Sequence, residues 1–211
     1  MQQKQWLDGI DGIIKGGVSV EDFAAIVKSD KQTAWKMLQE LSQHDIGSFD
    51  GEISEFDDGD KLKATIFAIN KGIPIDDAAE HIDWRDFEGL TAQILQMNDF
   101  ATIRNLILTK PRMEIDVVGV KFGVAILIDC KHWRRHSQSA LDTAVQNQIK
   151  RTKHYVASNG TVAAPVIVTL YQDAVTFIDK VPIVPIFRLE SFLEEFYGNL
   201  ENVETIRKDS Q

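Results

Sequence analysis

The chain has 211 residues, of which 44% are hydrophobic and 26% charged. This is the composition of a soluble globular protein, and it excludes collagen-like repeats, low-complexity disorder and a disulfide scaffold. The single cysteine, Cys130, cannot form an internal disulfide, so we expect a reducing compartment and a cytoplasmic location. No apolar run approaches the roughly 18 residues that a membrane span requires, and the N-terminal residues lack the apolar core of a signal peptide.

The net charge of −9 is unevenly distributed along the chain. Residues 1–80 contain eight Lys/Arg and sixteen Asp/Glu, whereas residues 104–153 contain ten Lys/Arg and four Asp/Glu. A local basic field matters more to a polyanion than the charge of the whole chain. The second half could therefore bind nucleic acid, although the acidic first half argues against it.

The first 80 residues are predicted to form a small helical module. Ser19 and Asp30 are N-cap residues that precede apolar residues at helical spacing. Asp50-Gly51 is typical of a type I′ hairpin turn. The order of helix, helix, short turn, helix and hairpin predicts a winged helix-turn-helix domain over residues 1–82, in which further helices cover about 61–71 and 76–82.

The second half changes character, and we assign residues 83–211 to a separate α/β domain. Asp83 can cap its first helix, and Pro182 and Pro185 favour an edge position for the last strand region. The predicted elements are a helix over 84–97, strands over 103–108, 113–120 and 124–133, a helix over 138–157, a strand over 162–171, one or two short strands within 175–187, and a helix over 189–199.

Two neighbouring strands carry the residues that indicate chemistry. Because strand residues two apart share a face, Asp129 and Lys131 point one way and Cys130 points the other. A hairpin whose turn lies at 122–123 brings Asp116 opposite Asp129. Two carboxylates and an ammonium would then meet at the end of two apolar strands, and a divalent cation such as Mg²⁺ would offset the cost of burying them. The alternative is an ordinary ion pair on the surface at a strand end.

These residues resemble the PD-(D/E)xK nuclease superfamily, near the archaeal Holliday junction resolvases and the Mrr-like restriction enzymes. The matching motifs are Glu88 in WRDFEGLTAQIL, Asp116 in RMEIDVVG, and Asp129-Cys130-Lys131 in ILIDCKHW. The resemblance covers about residues 84–187 and implies a restriction-endonuclease-like mixed sheet flanked by helices, with an α-β-β-β-α-β core. The proline of the family name is absent, since Ile115 precedes Asp116.

The resemblance also implies a role for each matching residue. Asp116, Asp129 and the backbone carbonyl of Cys130 would bind Mg²⁺ or Mn²⁺, and Glu88 would reach the metal, directly or through water. Lys131 would position or activate the attacking water. A glutamine on the following helix completes the family pattern, and Gln148 is the candidate, with Gln146 as the alternative.

Each of these residues also has a plainer interpretation. Glu88 could be a solvated helix charge, Gln148 an ordinary surface residue, and Cys130 a small buried side chain rather than a nucleophile. Glu114 shares a face with Asp116 and could be an auxiliary ligand or a solvent-facing strand residue. His132 and His136 have a spacing that suits zinc on a helix, but they follow a strand, so we favour a phosphate-contacting loop.

The basic residues predict a DNA-binding surface, with unrelated surface charges as the alternative. Within residues 1–82, helix residues would read the major groove, although the acidic charge makes a protein partner an equal alternative. A homodimer could form through the C-terminal helix, where the same aromatic residues could instead cap the sheet. The candidate DNA contacts are Arg112, His132, Arg134, Arg135, Lys150, Arg151, Lys31 and Lys36.

Taken together, the sequence predicts a metal-dependent DNA endonuclease that acts in repair, recombination or restriction. The alternatives are a non-catalytic DNA-binding or scaffold protein that retains the nuclease fold, and a transcription regulator that acts through the first domain.

Overall fold

The structure is a computed structural model that describes residues 3–133, 137–170 and 174–208. Contacts divide the chain between Asp86 and Phe87, inside the helix Trp84–Met97. Each of the two units has its own buried apolar residues. Among the described residues, no helix has the length and apolar character needed to cross a bilayer.

The N-terminal unit combines helices with a small antiparallel sheet. Its strands are ordered β1-β3-β2, and Trp6 packs edge-on against Phe67 with ring centroids 5.0 Å apart. The elements in chain order are α1 (Gln3–Asp11), β1 (Gly16–Ser19), α2 (Val20–Ile26), α3 (Lys31–Gln43), β2 (Ser48–Phe49), β3 (Ile53–Phe56), α4 (Asp60–Asn70) and α5 (Ile75–Ala79).

The predicted helix caps of this unit are confirmed, whereas its hairpin turn differs from the prediction. Ser19 accepts a hydrogen bond from the Asp22 N–H, and Asp30 accepts one from the Thr33 N–H. The hairpin turns at Gly51-Glu52, and Gly51 alone of the two has a positive φ, which is a feature of type II′ rather than type I′. Strand β1 was missed because four residues with two glycines give no period-two pattern.

The second unit is a mixed sheet flanked by helices, which confirms the predicted restriction-endonuclease-like architecture. Within the described residues its strands are ordered β4-β5-β6-β7-β9-β8, with parallel pairing of β6 with β7 and of β7 with β9. The elements are α6 (Trp84–Met97), β4 (Ala101–Leu108), β5 (Met113–Lys121), β6 (Val124–Lys131), α7 (Gln138–Asn159), β7 (Val162–Thr169), β8 (Thr176–Ile178), β9 (Val181–Pro185) and α8 (Leu189–Phe196).

Helices α6 and α7 cover opposite faces of this sheet. Val118 and Leu127 point towards α7 and form a buried cluster with Tyr155 and Val156 of that helix. Gly119, one residue further on, points the other way, where a Cβ atom would lie 2.2 Å from Leu95 of α6. The glycine therefore lets α6 approach the sheet closely.

The alternation of strand β5 is interrupted at Asp116. Ile115 and Val118 both belong to the α7-side cluster although they are three residues apart. The β4–β5 pairing continues on both sides of this point but not through it, and the β5–β6 pairing begins only at Val117. Opposite the interruption, Asn105 of β4 has a φ of 52°, a left-handed conformation that asparagine tolerates better than most residues. The ladder therefore opens beside the candidate site.

Two expectations for the C-terminal part are corrected. Strand β9 is fully buried between β7 and β8 and is not an edge strand. Its pairing with β7 runs from Ile183 to Pro185, so Pro182 lies outside that ladder and Pro185 is its last residue, and neither interrupts it. The last helix ends at Phe196 and continues as a 3-10 helix over Tyr197–Asn202.

Candidate functional site

The predicted hairpin brings the two candidate carboxylates to adjacent strands. Strands β5 and β6 pair with Val117 opposite Ile128 and with Lys121 opposite Val124, which confirms the predicted register. The turn consists of Phe122 and Gly123, both with positive φ. Asp116 and Asp129 are the next residues beyond Val117 and Ile128, which are the last pair of the ladder at this end.

Asp129 is buried between two cations. Only 3% of its surface is exposed. Its Oδ2 atom lies 2.7 Å from Lys131 Nζ, and its Oδ1 atom accepts a hydrogen bond of 2.8 Å from Arg151 Nη1. Within the described residues Oδ2 has no hydrogen-bond partner, and it contacts Lys131 through the ion pair. The alternative of a surface ion pair is wrong, because this carboxylate is buried.

Asp116 is half-buried and electrostatically strained. Its Oδ2 atom accepts a hydrogen bond of 2.7 Å from the backbone N–H of Cys130. Burial and the negative charge of Asp129 raise the pKa of Asp116 to about 6, although the Cys130 N–H and the cations Lys131 and Arg151 oppose the shift. Asp129 therefore lies close enough for its charge to destabilise the ionised form of Asp116.

Gln148 is fully buried on α7, so the interpretation as an ordinary surface residue is wrong. Its side-chain nitrogen donates to the Leu127 carbonyl at 2.8 Å, and its side-chain oxygen accepts from Arg151 Nη1 at 3.3 Å. Gln146 instead is exposed and donates to Asp179. Of the two candidates, Gln148 is thus the one that is connected to Asp129, through Arg151.

Arg151 belongs to this cluster, whereas the sequence assigned it only to a DNA-binding surface. It follows Gln148 by three residues, so both side chains lie on the same face of α7. The spacing signal was present in the sequence, but Asp129 as its partner required knowledge of how α7 packs on β6.

Cys130 and Glu88 lie on the other side of β6. The thiol of Cys130 contacts the Thr91 hydroxyl of α6 at 3.6 Å. Burial and the charge of Asp116 raise the pKa of this thiol, so it stays protonated and is not an activated nucleophile. Glu88 is buried on the same helix with 6% exposure, which rules out the solvated helix charge.

The remaining residues predicted in the second unit are spread over its surface. Arg112, Glu114 and Lys150 are exposed, and His132 packs against Phe87 with ring centroids 5.2 Å apart. Arg134, Arg135 and His136 lie outside the described residues. The DNA-binding roles stay predictions.

The N-terminal unit has two of the predicted DNA contacts on its helix α3. Lys31 forms an ion pair with Glu21, so a DNA contact would compete with that pair, and Lys36 is exposed. DNA reading by this unit, binding of a protein partner and the winged-helix interpretation stay predictions.

The predicted dimer surface is partly accounted for within the second unit. Phe196 is buried and contacts the Tyr197 ring, and the Tyr197 hydroxyl donates to the Lys121 carbonyl at 2.7 Å. These contacts fit the alternative in which the aromatic residues cap the sheet. Dimer formation stays a prediction.

The donor atoms of the cluster suit a hard divalent cation. Asp116, Asp129 and the Cys130 carbonyl supply oxygen ligands, which Mg²⁺ and Mn²⁺ prefer. The buried Asp129 Oδ2 has a lone pair that no hydrogen bond within the described residues uses. Within the part of the chain that the structure describes, no three or more His, Cys, Asp or Glu side chains are arranged to hold a metal. Carbonyl and water oxygens would therefore have to complete the coordination.

Comparisons with known proteins match the second unit to one family. The family model Mrr_cat, described as a restriction endonuclease, matches residues 79–190, just over half of the chain. An uncharacterized protein of Archaeoglobus fulgidus is 30% identical over 118 residues, which are 54% of this chain and 92% of that protein.

Two solved structures are also similar to the chain. One is a protein of unknown function, AF1548, with 25% identity, a TM-score of 0.33, and coverage of 39% of this chain and 46% of that one. The other is protein VC1899 from Vibrio cholerae, with 14% identity, a TM-score of 0.42, and coverage of 95% and 52%. The chain thus spans about half the length of each.

The family match covers the helix with Glu88, the hairpin with Asp116 and Asp129, and the helix with Gln148 and Arg151. The chain belongs to the Mrr-like restriction endonuclease family.

Proposed function

We propose that this protein is a metal-dependent DNA endonuclease that hydrolyses phosphodiester bonds in repair, recombination or restriction. The observation that carries the proposal is the buried Asp129 beside Asp116 and Lys131, at the point where the β5–β6 ladder opens. Endonuclease activity and divalent metals are general properties of the family. This chain retains the carboxylates and the lysine that such chemistry requires.

Each residue of the cluster has a defined task in this proposal. Asp116, Asp129 and the Cys130 carbonyl would hold Mg²⁺ or Mn²⁺, which supplies Lewis-acid stabilisation of the phosphate and a more acidic water. Lys131 holds its ammonium 2.7 Å from Asp129, where it can orient the attacking water and offset negative charge that develops on the phosphate. Glu88 is buried near Cys130 and would reach the metal directly or through water.

A cleavage assay on a DNA panel tests the proposal. Duplex, single strand, flap, four-way junction and methylated duplex are each incubated with Mg²⁺, Mn²⁺ or chelator. We expect cutting that requires metal and that falls by about 100-fold or more in Lys131→Ala and Asp116→Ala. Lys208→Ala is the matched control, because Lys208 is exposed near the end of the same unit. Full metal-dependent cleavage by either site variant would refute the proposal.

A second candidate is a non-catalytic DNA-binding or scaffold protein that retains the nuclease fold. It is favoured by the engagement of both Asp129 oxygens with protein cations and by the absence, among the described residues, of a cluster of three metal-ligating side chains. DNA binding that is indifferent to metal and to Asp116→Ala, with no cleavage of any substrate, would support it over the endonuclease.

A further inference from the structure

Gln148, Arg151 and Asp129 form a chain of contacts in which a protein cation pairs with a candidate metal ligand. Arg151 Nη1 lies 2.8 Å from Asp129 Oδ1, the oxygen opposite the one that faces Lys131. Gln148 accepts from the same Nη1 atom and is itself anchored on the Leu127 carbonyl. In the metal-free protein the guanidinium is therefore oriented towards Asp129 by a fully buried side chain.

The charges of this cluster balance without a metal. Asp116 and Asp129 carry negative charge when ionised, and Lys131 and Arg151 carry positive charge. A divalent cation bound here would lie close to the positive charges of Lys131 and Arg151. Their repulsion is stronger than in water, because the cluster is partly desolvated and the local dielectric constant is lower. Either the affinity for the divalent cation is reduced, or one of the two protein cations must leave Asp129.

Arg151 is the cation that can leave. Lys131 lies on β6 itself, two residues from Asp129, and its ammonium is packed 5.4 Å from the Trp133 ring centre. Arg151 reaches Asp129 from a different element, the helix α7, through a long side chain. The two cations are similarly exposed, at 27% for Arg151 and 22% for Lys131, so the difference between them is where each is attached. An arginine side chain has the length and rotamer freedom to turn towards solvent.

We propose that Arg151 is a positioning residue that pairs with Asp129 Oδ1 when no metal is bound and competes with the divalent metal for the negative charge of this carboxylate. It keeps the buried carboxylate paired, so the fold does not depend on metal, and it lowers the metal affinity of the DNA-free protein. The inference rests on the proposed metal-dependent function. It also gives Gln148 a role, which is to hold the competing guanidinium.

Manganese binding to the full-length protein without DNA tests this inference independently of cleavage. Binding of Mn²⁺ is measured by the electron paramagnetic resonance signal of the free ion, for wild type, Arg151→Gln and Arg151→Lys. We expect Arg151→Gln to bind Mn²⁺ at least about threefold more tightly than wild type, because one repelling charge is removed. Arg151→Lys keeps the charge and should fall between the two. Lys153→Gln removes an exposed charge from the same helix and should leave the affinity unchanged.

Thermal unfolding provides the second readout. In chelator, Arg151→Gln should unfold at a lower temperature than wild type, since Asp129 loses a partner, and saturating Mn²⁺ should remove most of this difference. A merely structural role would lower the unfolding temperature equally with and without metal. This result, or an unchanged or weaker Mn²⁺ affinity in Arg151→Gln, would overturn the inference and leave the proposed function standing. A wild-type protein that binds no Mn²⁺ and cuts no DNA would overturn both.

Discussion

Replacing Asp116 with asparagine is expected to stabilise the metal-free protein at neutral pH. Burial and the Asp129 charge raise the pKa of Asp116 to about 6 from the ordinary value of 3.8. The folded state therefore binds this proton more tightly than the unfolded chain, and ionisation costs stability as the pH rises through this range. The shift of roughly two units corresponds to at most about 3 kcal/mol. Asparagine carries no charge, and its oxygen can still accept from the Cys130 N–H.

Urea unfolding in the presence of chelator measures this effect. At pH 7.5 we expect Asp116→Asn to exceed wild type by about 1–3 kcal/mol in free energy of unfolding. At pH 5 the difference should be about half as large, because most of the wild-type Asp116 is then protonated in the folded state. Asp142→Asn, on the exposed face of α7, should stay within about 0.5 kcal/mol of wild type at both values. Equal or lower stability of Asp116→Asn at pH 7.5 would show that this carboxylate is not strained by its surroundings.

Substitutions at three further positions, Asn105, Gly119 and Gln148, test the local geometry by thermal unfolding. Asn105→Gly should be nearly neutral and Asn105→Val should cost about 1–2 kcal/mol, because position 105 has a left-handed φ; equal losses would contradict this. Gly119→Ala should lower the free energy of unfolding by about 1–3 kcal/mol, because the added Cβ atom would clash with Leu95. Adding Leu95→Ala to this variant should recover part of the loss. Gly198→Ala is the control, because a Cβ atom at position 198 would meet open space. Gln148→Leu should cost about 1–3 kcal/mol, because the Leu127 carbonyl and Arg151 lose a partner, and an unchanged unfolding temperature would refute its buried role.

The hairpin of the second unit shows what sequence can predict. If Asp116 lies opposite Asp129, the turn must centre on residues 122–123, and the sequence predicts this register to within a residue or two; the structure has the pairing at that position. That register alone brings Asp116 to Asp129. The prediction succeeded because it needed only local geometry and a period of two.

The interruption at Asn105 and Asp116 was beyond the same reasoning. Both residues lie within runs that alternate acceptably as regular strands, and a left-handed asparagine has no distinct sequence signal. The contact of Arg151 with Asp129 was also out of reach, since it joins a helix to a strand 22 residues earlier in the chain. Such contacts depend on how α7 lies on the sheet, which residue spacing within either element does not determine.

The prolines of β9 illustrate a different failure. The expectation of an edge strand rested on the missing N–H of proline, which is a sound rule for the middle of a ladder. In this strand the ladder with β7 covers only Ile183 to Pro185, and Pro182 pairs instead with Phe177 of the edge strand β8. Neither proline therefore lies in the interior of the ladder with β7, and β9 is buried between two neighbouring strands.

The fold itself gives no reason for the charged residues at the open end of the hairpin. Val117 and Ile128, the next pair along the two strands, are completely buried, and similar apolar residues at 116 and 129 would continue the core. The chain instead keeps a carboxylate with a raised pKa at 116, and it needs Lys131 and Arg151 to hold the carboxylate at 129. Burying such a set is often less favourable than packing apolar side chains of the same volume. Stability alone therefore does not explain this arrangement, and the proposed metal-binding role of these strand ends would explain it.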